Sequence, residues 1–363
     1  MKILRAVFGV VTMMGVTQAF AQQASGFECT SEGAVQYETG LGAGVDDLVH
    51  VPSRLRSNMR SVQAKGWKFE YGDGAMADRA KNLITVRRGA SDLNVTAQFA
   101  HEVGHANYNY KADLSSRDAY IRKACTDEGF GLLENIIAHR ATGTCSGKHL
   151  GVVTIDPDFF LARYEELAQR PPVDVSELGY TFCERNYARA GVSYIDYYGD
   201  WYDANHGREA EVASGVADPA LWRQVSEMAA AGVRGGAELR AVWHARARKV
   251  SDVAGGLGVA SWSGGALRLS STVAIVDSEI RVDIDDNVIV AHGRVDGRCV
   301  SRAEVQRHYP GLVITQPPTP HGPQRTVWSA FGDWGQLAFS FPQEAPSCLE
   351  TLSLTPHPDS SDT

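Results

Sequence analysis

Ser91-Asp-Leu-Asn-Val-Thr-Ala-Gln-Phe-Ala-His101-Glu102-Val103-Gly104-His105 is the stretch on which the reading of this chain turns. Ser91 or Asp92 fits a helix N-cap, and small or apolar residues recur at Leu93, Ala97, Ala100 and Gly104. Asn94, Gln98, His101 and His105 fall on a second, polar stripe. Positions i and i+4 share a helix face, so both imidazoles reach one cation while Glu102 stands beside them. Two such nitrogens suit Zn²⁺, and an adjacent carboxylate can take a proton from a water that the metal activates. His101 and His105 are the first candidate metal ligands, and Glu102 is the candidate general base.

The sequence on either side supplies a frame. Residues 52–66 read as a helix with Pro52 at its start and Gly66 at its end. Trp67 to Tyr71 alternates apolar and polar, as a half-buried strand does, and Gly72-Asp73-Gly74 marks a turn. Leu83 to Val86 gives a second strand, followed by the motif helix. Downstream, Arg117 to Arg140 is a long helical pattern, with further helices expected at 158–169, 174–189 and 219–230. The dense aromatic run from Tyr194 to Tyr202, with His206 behind it, reads as a helix packed by its rings.

Beyond residue 251 the composition changes. Residues 251–266 are rich in Gly, Ser and Ala and read as a linker. β-Branched runs then dominate, among them Thr272 to Val276, Val288 to Ala291 and Leu337 to Phe341. Trp262, Trp328 and Trp334 read as core of this β-rich part. The expected fold class is α+β: a small sheet with the motif helix and a mostly helical second half over 27–250, a linker over 251–266, a small β-rich domain over 267–352 and a disordered tail over 353–363.

Residues 1–21 have the form of a secretory signal. Lys2 and Arg5 precede an apolar run from Ala6 to Val16, and Ala19-Phe20-Ala21 is a small-x-small cleavage site. Loss of those two cations moves the formal net charge from −8 to −10. An acidic chain with no basic run argues against nucleic acid or stable membrane association. The six cysteines, an even number in an exported chain, favour disulfides. Cys299 and Cys348 stand apart and are expected to pair. Cys29, Cys125, Cys145 and Cys183 leave three connectivities open.

The order helix, strand, strand, HExxH helix resembles the N-terminal half of zincin metallopeptidases. That resemblance implies a third metal ligand downstream. It also implies that the last strand before the motif helix, Leu83 to Val86, borders the cleft and pairs with an extended substrate. One zincin class takes its third ligand from HExxHxxGxxH, but Tyr108 and Lys111 stand at the Gly and final His positions. Another uses Gly-Thr-x-Asp, and Gly143-Thr144-Cys145-Ser146 lacks the Asp. The remaining arrangement, that of the gluzincins, takes a Glu from the next long helix. Helical phase separates the two candidates. Glu128 shares a stripe with Ile121, Cys125, Leu132 and Ile136, whereas Glu134 falls with Lys123 and Asp127 on the expected solvent side. Glu128 is the expected third ligand, with Gly129 letting the two helices approach. His139 is too far along the helix to share the metal and is expected as a packed or supporting group.

The sequence thus predicts an exported, periplasmic or secreted zinc metallopeptidase. Its expected substrates are proteins, peptides or the stem peptides of peptidoglycan. Zincin domains of this kind also occur among secreted bacterial effectors, for which an inhibitor or immunity protein would be a partner. The alternative is a non-enzymatic secreted binding protein whose HExxH holds a structural zinc or nothing; a closed fourth coordination position would mark it.

Overall fold

The computed structural model of the protein describes residues 29, 38–205, 218–243, 248–252, 259–318, 324–343 and 347–356. The expected signal segment 1–21 and His206 lie outside these residues, as does 357–363 of the expected tail. The fold is α+β, and its first part follows the expected order with one addition. Helices α1 (Ala43–His50) and α2 (Ser53–Ala64) lead into β1 (Lys68–Gly72), β2 (Met76–Asp78) and β3 (Leu83–Arg87), and then α3 (Asp92–Asn107). Ser91 caps α3 by accepting the Asn94 N–H. Ile84 and Val86 face inward and pack with Val95, Phe99 and Val103 of α3 and with Leu55 and Met59 of α2.

The short strand β2 changes one expectation. The sheet order is β1-β3-β2, with β3 parallel to β1 and antiparallel to β2. Leu83 to Val86 is therefore the central strand and not the one at the edge. Its hydrogen bonds are taken on both sides, and the edge position belongs to Met76–Asp78, whose three residues were too few to show a pattern.

Helix α4 (Arg117–Ser146) continues past Arg140 to a left-handed cap at Gly147. It is followed by α5 (Pro157–Ala168), α6 (Val175–Arg185), the hairpin β4 (Tyr187–Arg189) and β5 (Val192–Ser193), and α7 (Tyr194–Asn205). α4 packs on α3 along one side and on α6 and α7 along others. Its middle has no solvent face, and residues 127–129 and 131–138 are all buried. This overturns the exposed placement of Asp127 and Glu134. A phase argument assigns one face outward, and a helix enclosed by neighbours has none to assign. Glu134 instead accepts from Arg54 Nε at 3.1 Å.

The close approach of α3 and α4 is made by Gly104 and Gly131, not by Gly129. A Cβ on Gly104 would collide with the Phe130 carbonyl and Gly131. Gly129 faces Gly179 of α6 instead. The two glycines let those backbones meet as well.

A second core begins earlier than the sequence suggests. α8 (Pro219–Arg234) and α9 (Gly236–Val242) pack Leu221, Trp222, Val225 and Leu239 against Ile275, Ile280, Phe339 and Leu352. Those last four belong to an antiparallel sheet of β6 (Arg248–Asp252), β7 (Ala260–Arg268), β8 (Val273–Val282), β9 (Val288–Gly297), β10 (Val313–Gln316), β11 (Arg325–Gly332), β12 (Gly335–Pro342) and β13 (Thr351–Thr355). Its order is β10-β11-β12-β13-β9-β8-β7-β6, and α10 (Arg302–His308) precedes β10. The expected linker 251–266 and tail 353–363 are corrected in part. Residues 251–252 lie in β6, 260–266 in β7 and 353–355 in β13, because Gly- and Ser-rich sequence can still pair when its backbone groups find partners, and 253–258 of the expected linker lie outside the described residues. Trp262, Trp328 and Trp334 pack against this core, as expected.

The two cores meet through polar groups. Glu279 accepts from Lys68 and Ser261, and from Arg281 at 3.1 Å. Arg281, almost fully buried, also donates to the Gly66 and Asn82 carbonyls at 2.9 Å. Arg325 pairs with Asp78 of β2, and Gln316 Oε1 accepts the Arg79 N–H at 2.8 Å. Three disulfides close the chain: Cys299–Cys348, as expected, with Cys29–Cys145 and Cys125–Cys183 settling the open connectivity.

Candidate metal centre

Helix α3 brings His101 and His105 to one place, and α4 brings Glu128 to meet them. The two imidazole Nε2 atoms are 3.1 Å apart. Glu128 Oε2 is 3.8 Å from the first and 3.7 Å from the second. Donors bound tetrahedrally to one Zn²⁺ at the usual bond lengths are about 3.4 Å apart. The donor set, two imidazoles and one carboxylate, suits the same ion. Gly131 makes the room, since a Cβ there would lie 2.8 Å from the His101 ring and 2.9 Å from His105 Nε2.

Two of the three candidate ligands, Glu128 and His105, are held from behind. Tyr198 donates from its hydroxyl to Glu128 Oε1 at 2.9 Å, which leaves Oε2 turned toward the imidazoles. Burial keeps that hydroxyl well above its usual pKa, so it stays a donor. His105 Nδ1 lies 3.1 Å from Asp127 Oδ1, which sets the tautomer with its Nε2 lone pair free for a metal. Arg79 grips Asp127 with a fork of 2.7 and 3.1 Å and donates to the His105 carbonyl at 2.5 Å. Burial opposes ionisation of Asp127, but Arg79 and His105 outweigh it and hold the carboxyl well below its usual range.

Glu102 is buried beside this group and takes a hydrogen bond from the backbone of Ala77 in β2. Burial is the main cause that lifts its pKa to about 7, with the nearby Glu128 and Asp127 adding to it and His105 opposing. His105 is driven down by burial and up more strongly by Asp127, Glu128 and Glu102, reaching about 9. Three carboxylates, Glu102, Asp127 and Glu128, thus share a buried space with one guanidinium, Arg79. A divalent cation held by the two imidazoles and Glu128 would replace the protons on His105 and Glu102 as counter-charge to these acids.

The centre opens on a cleft of about 900 Å³. Met76 and Asp78 of β2 form one wall, His101 and Glu102 the floor, and Phe182, Tyr187 and Tyr194 the opposite side with Ile155. Ile155 and Tyr187 are 65% and 58% exposed, large apolar surface at a rim. Tyr194 is buried, and its hydroxyl is raised well above its usual pKa, first by burial and then by Glu128 and Glu102.

No protein-family model, curated protein or solved structure matches this chain. The reading of the centre therefore rests on its own geometry. The structure brings together all four residues chosen from sequence, His101, Glu102, His105 and Glu128. Sequence reasoning missed Arg79 and Asp127, and it left Tyr194 and Tyr198 out of the site by favouring ring packing for the Tyr194–Tyr202 run. Asp127 adjoins Glu128, and the tyrosines recur at helical spacing, so both left a trace. Arg79 left none, because it follows a three-residue strand in a turn. His139 sits against His149 and the Leu150 carbonyl, away from the centre.

Proposed function

We propose that this protein is an exported zinc metallopeptidase of zincin type, with His101, His105 and Glu128 as metal ligands. One observation carries the reading: the three ligand atoms converge, all within 4.8 Å of one another, in a small pocket with Glu102 beside them, and His101, Glu102 and Met76 line both that pocket and the open cleft. Among the described residues no fourth His, Cys, Asp or Glu joins the group, which favours a catalytic site over a structural one. Zinc, when bound there, supplies Lewis acidity that lowers the pKa of water and polarises a carbonyl.

The chain's own residues do the rest. Glu102 takes the proton from the attacking water and hands it to the leaving amine. Tyr194, a protonated hydroxyl on the cleft wall, donates to the oxygen that gains charge on the scissile carbonyl. Tyr198 and Asp127 keep the ligands oriented. The edge strand β2 offers backbone groups to an extended peptide, and Ile155 and Tyr187 offer it an apolar wall. Export is supported by the three disulfides and the signal-like residues 1–21. Among the described residues no helix is long and apolar enough to cross a membrane. Substrates are proteins or peptides, cell-wall stem peptides included. The test is zinc analysis combined with cleavage of a peptide library. One zinc per chain and cleavage lost in Glu102→Gln support the reading. Cleavage that persists unchanged in that variant rejects it.

A further inference from the structure

A second groove of about 320 Å³ lies between α7 and the C-terminal sheet, lined by Arg189, Tyr197, Trp201, Arg302, Trp328 and Gln343 among others. α7 separates it from the metal centre. Tyr194 and Tyr198 turn to the centre, while Tyr197 and Trp201 turn to the groove. Two arginines line it. Arg302 is half-buried, lies 5.4 Å from the Trp328 ring and donates to Asn205 Oδ1 at 3.3 Å. Arg189 lies 5.8 Å from the Tyr197 ring. Neither is within ion-pair distance of a carboxylate among the described residues, and Asp200, on the same groove, pairs with neither. The buried and half-buried arginines 79, 240, 281, 298 and 325 each have an acid partner.

We propose that this groove is a binding site for a carboxylate carried on an aromatic or apolar body. Guanidinium forks match the flat carboxylate and bind it in pairs of hydrogen bonds. The Trp201 and Trp328 rings offer apolar faces for the body of the ligand. The volume is at the small end for ligand sites and suits a group of dipeptide size or less. Such a carboxylate has two sources, the free C-terminus of a peptide and a small aromatic acid. The inference does not depend on peptide hydrolysis.

The test uses the full-length protein and calorimetric titration with N-acetyl-Ala-Phe, its C-terminal amide and 3-phenylpropionate. The acid dipeptide is expected to bind, and the amide to bind at least about tenfold more weakly, the scale of a charged hydrogen bond. Arg302→Gln and, separately, Arg189→Gln on its short exposed strand should weaken the acid to a similar degree. His101→Ala should leave binding unchanged, which distinguishes this groove from the metal centre. Binding of 3-phenylpropionate as tight as that of the dipeptide assigns the site to small acids; binding of the dipeptide alone assigns it to peptide C-termini. Equal binding of acid and amide would overturn the proposal. So would no binding at about 10 mM, or binding lost in His101→Ala and kept in both arginine variants.

Discussion

Asp127→Asn tests the support of the metal centre most directly. In the native structure Asp127 Oδ1 meets both His105 Nδ1 at 3.1 Å and Arg79 at 2.7 Å, while Oδ2 meets Arg79 again at 3.1 Å. An asparagine keeps one oxygen but turns an NH₂ group toward a guanidinium or an imidazole N–H. One donor then faces another, and Arg79 loses its counter-charge in a buried site. Breaking a buried ion pair from one side costs about 3–5 kcal/mol, and Arg79 keeps two carbonyl partners that bring the expected loss to the lower end. Loss of the group behind a ligating histidine costs about 10–100-fold in metal affinity. The assay is a zinc competition titration with a chromophoric chelator, paired with chemical denaturation of the chelated protein. Both quantities should fall together. Parent zinc affinity and parent stability in Asp127→Asn would refute the supporting role given to Asp127 and Arg79.

Other variants should fail in distinct ways. Glu102→Gln should keep its zinc and lose about 10²–10⁴ in turnover, measured by peptide cleavage at fixed metal content. Glu128→Gln should lose zinc itself, because a neutral amide is a poor substitute for an anionic ligand; metal analysis after dialysis decides it. Glu134→Gln should leave zinc binding intact and cost about 1–2 kcal/mol in denaturation, because half-exposed Arg54 retains access to water. Acidification should loosen the contact between the two cores. His292 sits against Glu279, and burial, then Arg281 and Lys81, hold its pKa below the usual value despite that acid. The unfolded chain therefore takes up the proton first, so stability falls as pH drops from about 6.5 toward the lowered native value. A His292→Gln variant should flatten that slope in denaturation curves recorded across the window.

The parts of the fold legible in the sequence were those written in short-range patterns. The His101–His105 spacing, the Ser91 cap, the alternation around Phe69 and the short strand around Ile84 depend on neighbours in the chain, and the structure keeps each of them. Glu128, not Glu134, is the acid that lies beside the two imidazoles, and helical phase is not the reason. Both acids are buried, and what separates them is the neighbour each one meets: two imidazoles for Glu128, Arg54 for Glu134. Such a distinction is made by tertiary packing, which a helical wheel does not contain. The same holds for β2 and Arg79. Their roles arise from contacts with α3 and α4, and with strands far along the chain. The start of the second core at Pro219 was hidden because amphipathic α8 reads alike whichever sheet or helix it covers.

The ties from Arg79 to Gln316 and from Asp78 to Arg325 span 237 and 247 residues. They give the chain a built-in order of assembly. A ribosome adding about 5–20 residues per second would place the HExxH segment roughly 10–50 s ahead of the strands that brace β2 and the Arg79 turn. Throughout that interval the candidate ligands exist in the chain, while the wall that holds Glu102 through Ala77 lacks its ties to Arg325 and Gln316. Contacts of such long sequence separation also form late in folding, since the loop they close must be ordered first. Completion of the centre is thereby deferred to the end of synthesis and folding, and a truncated product carrying the whole motif should still be inert.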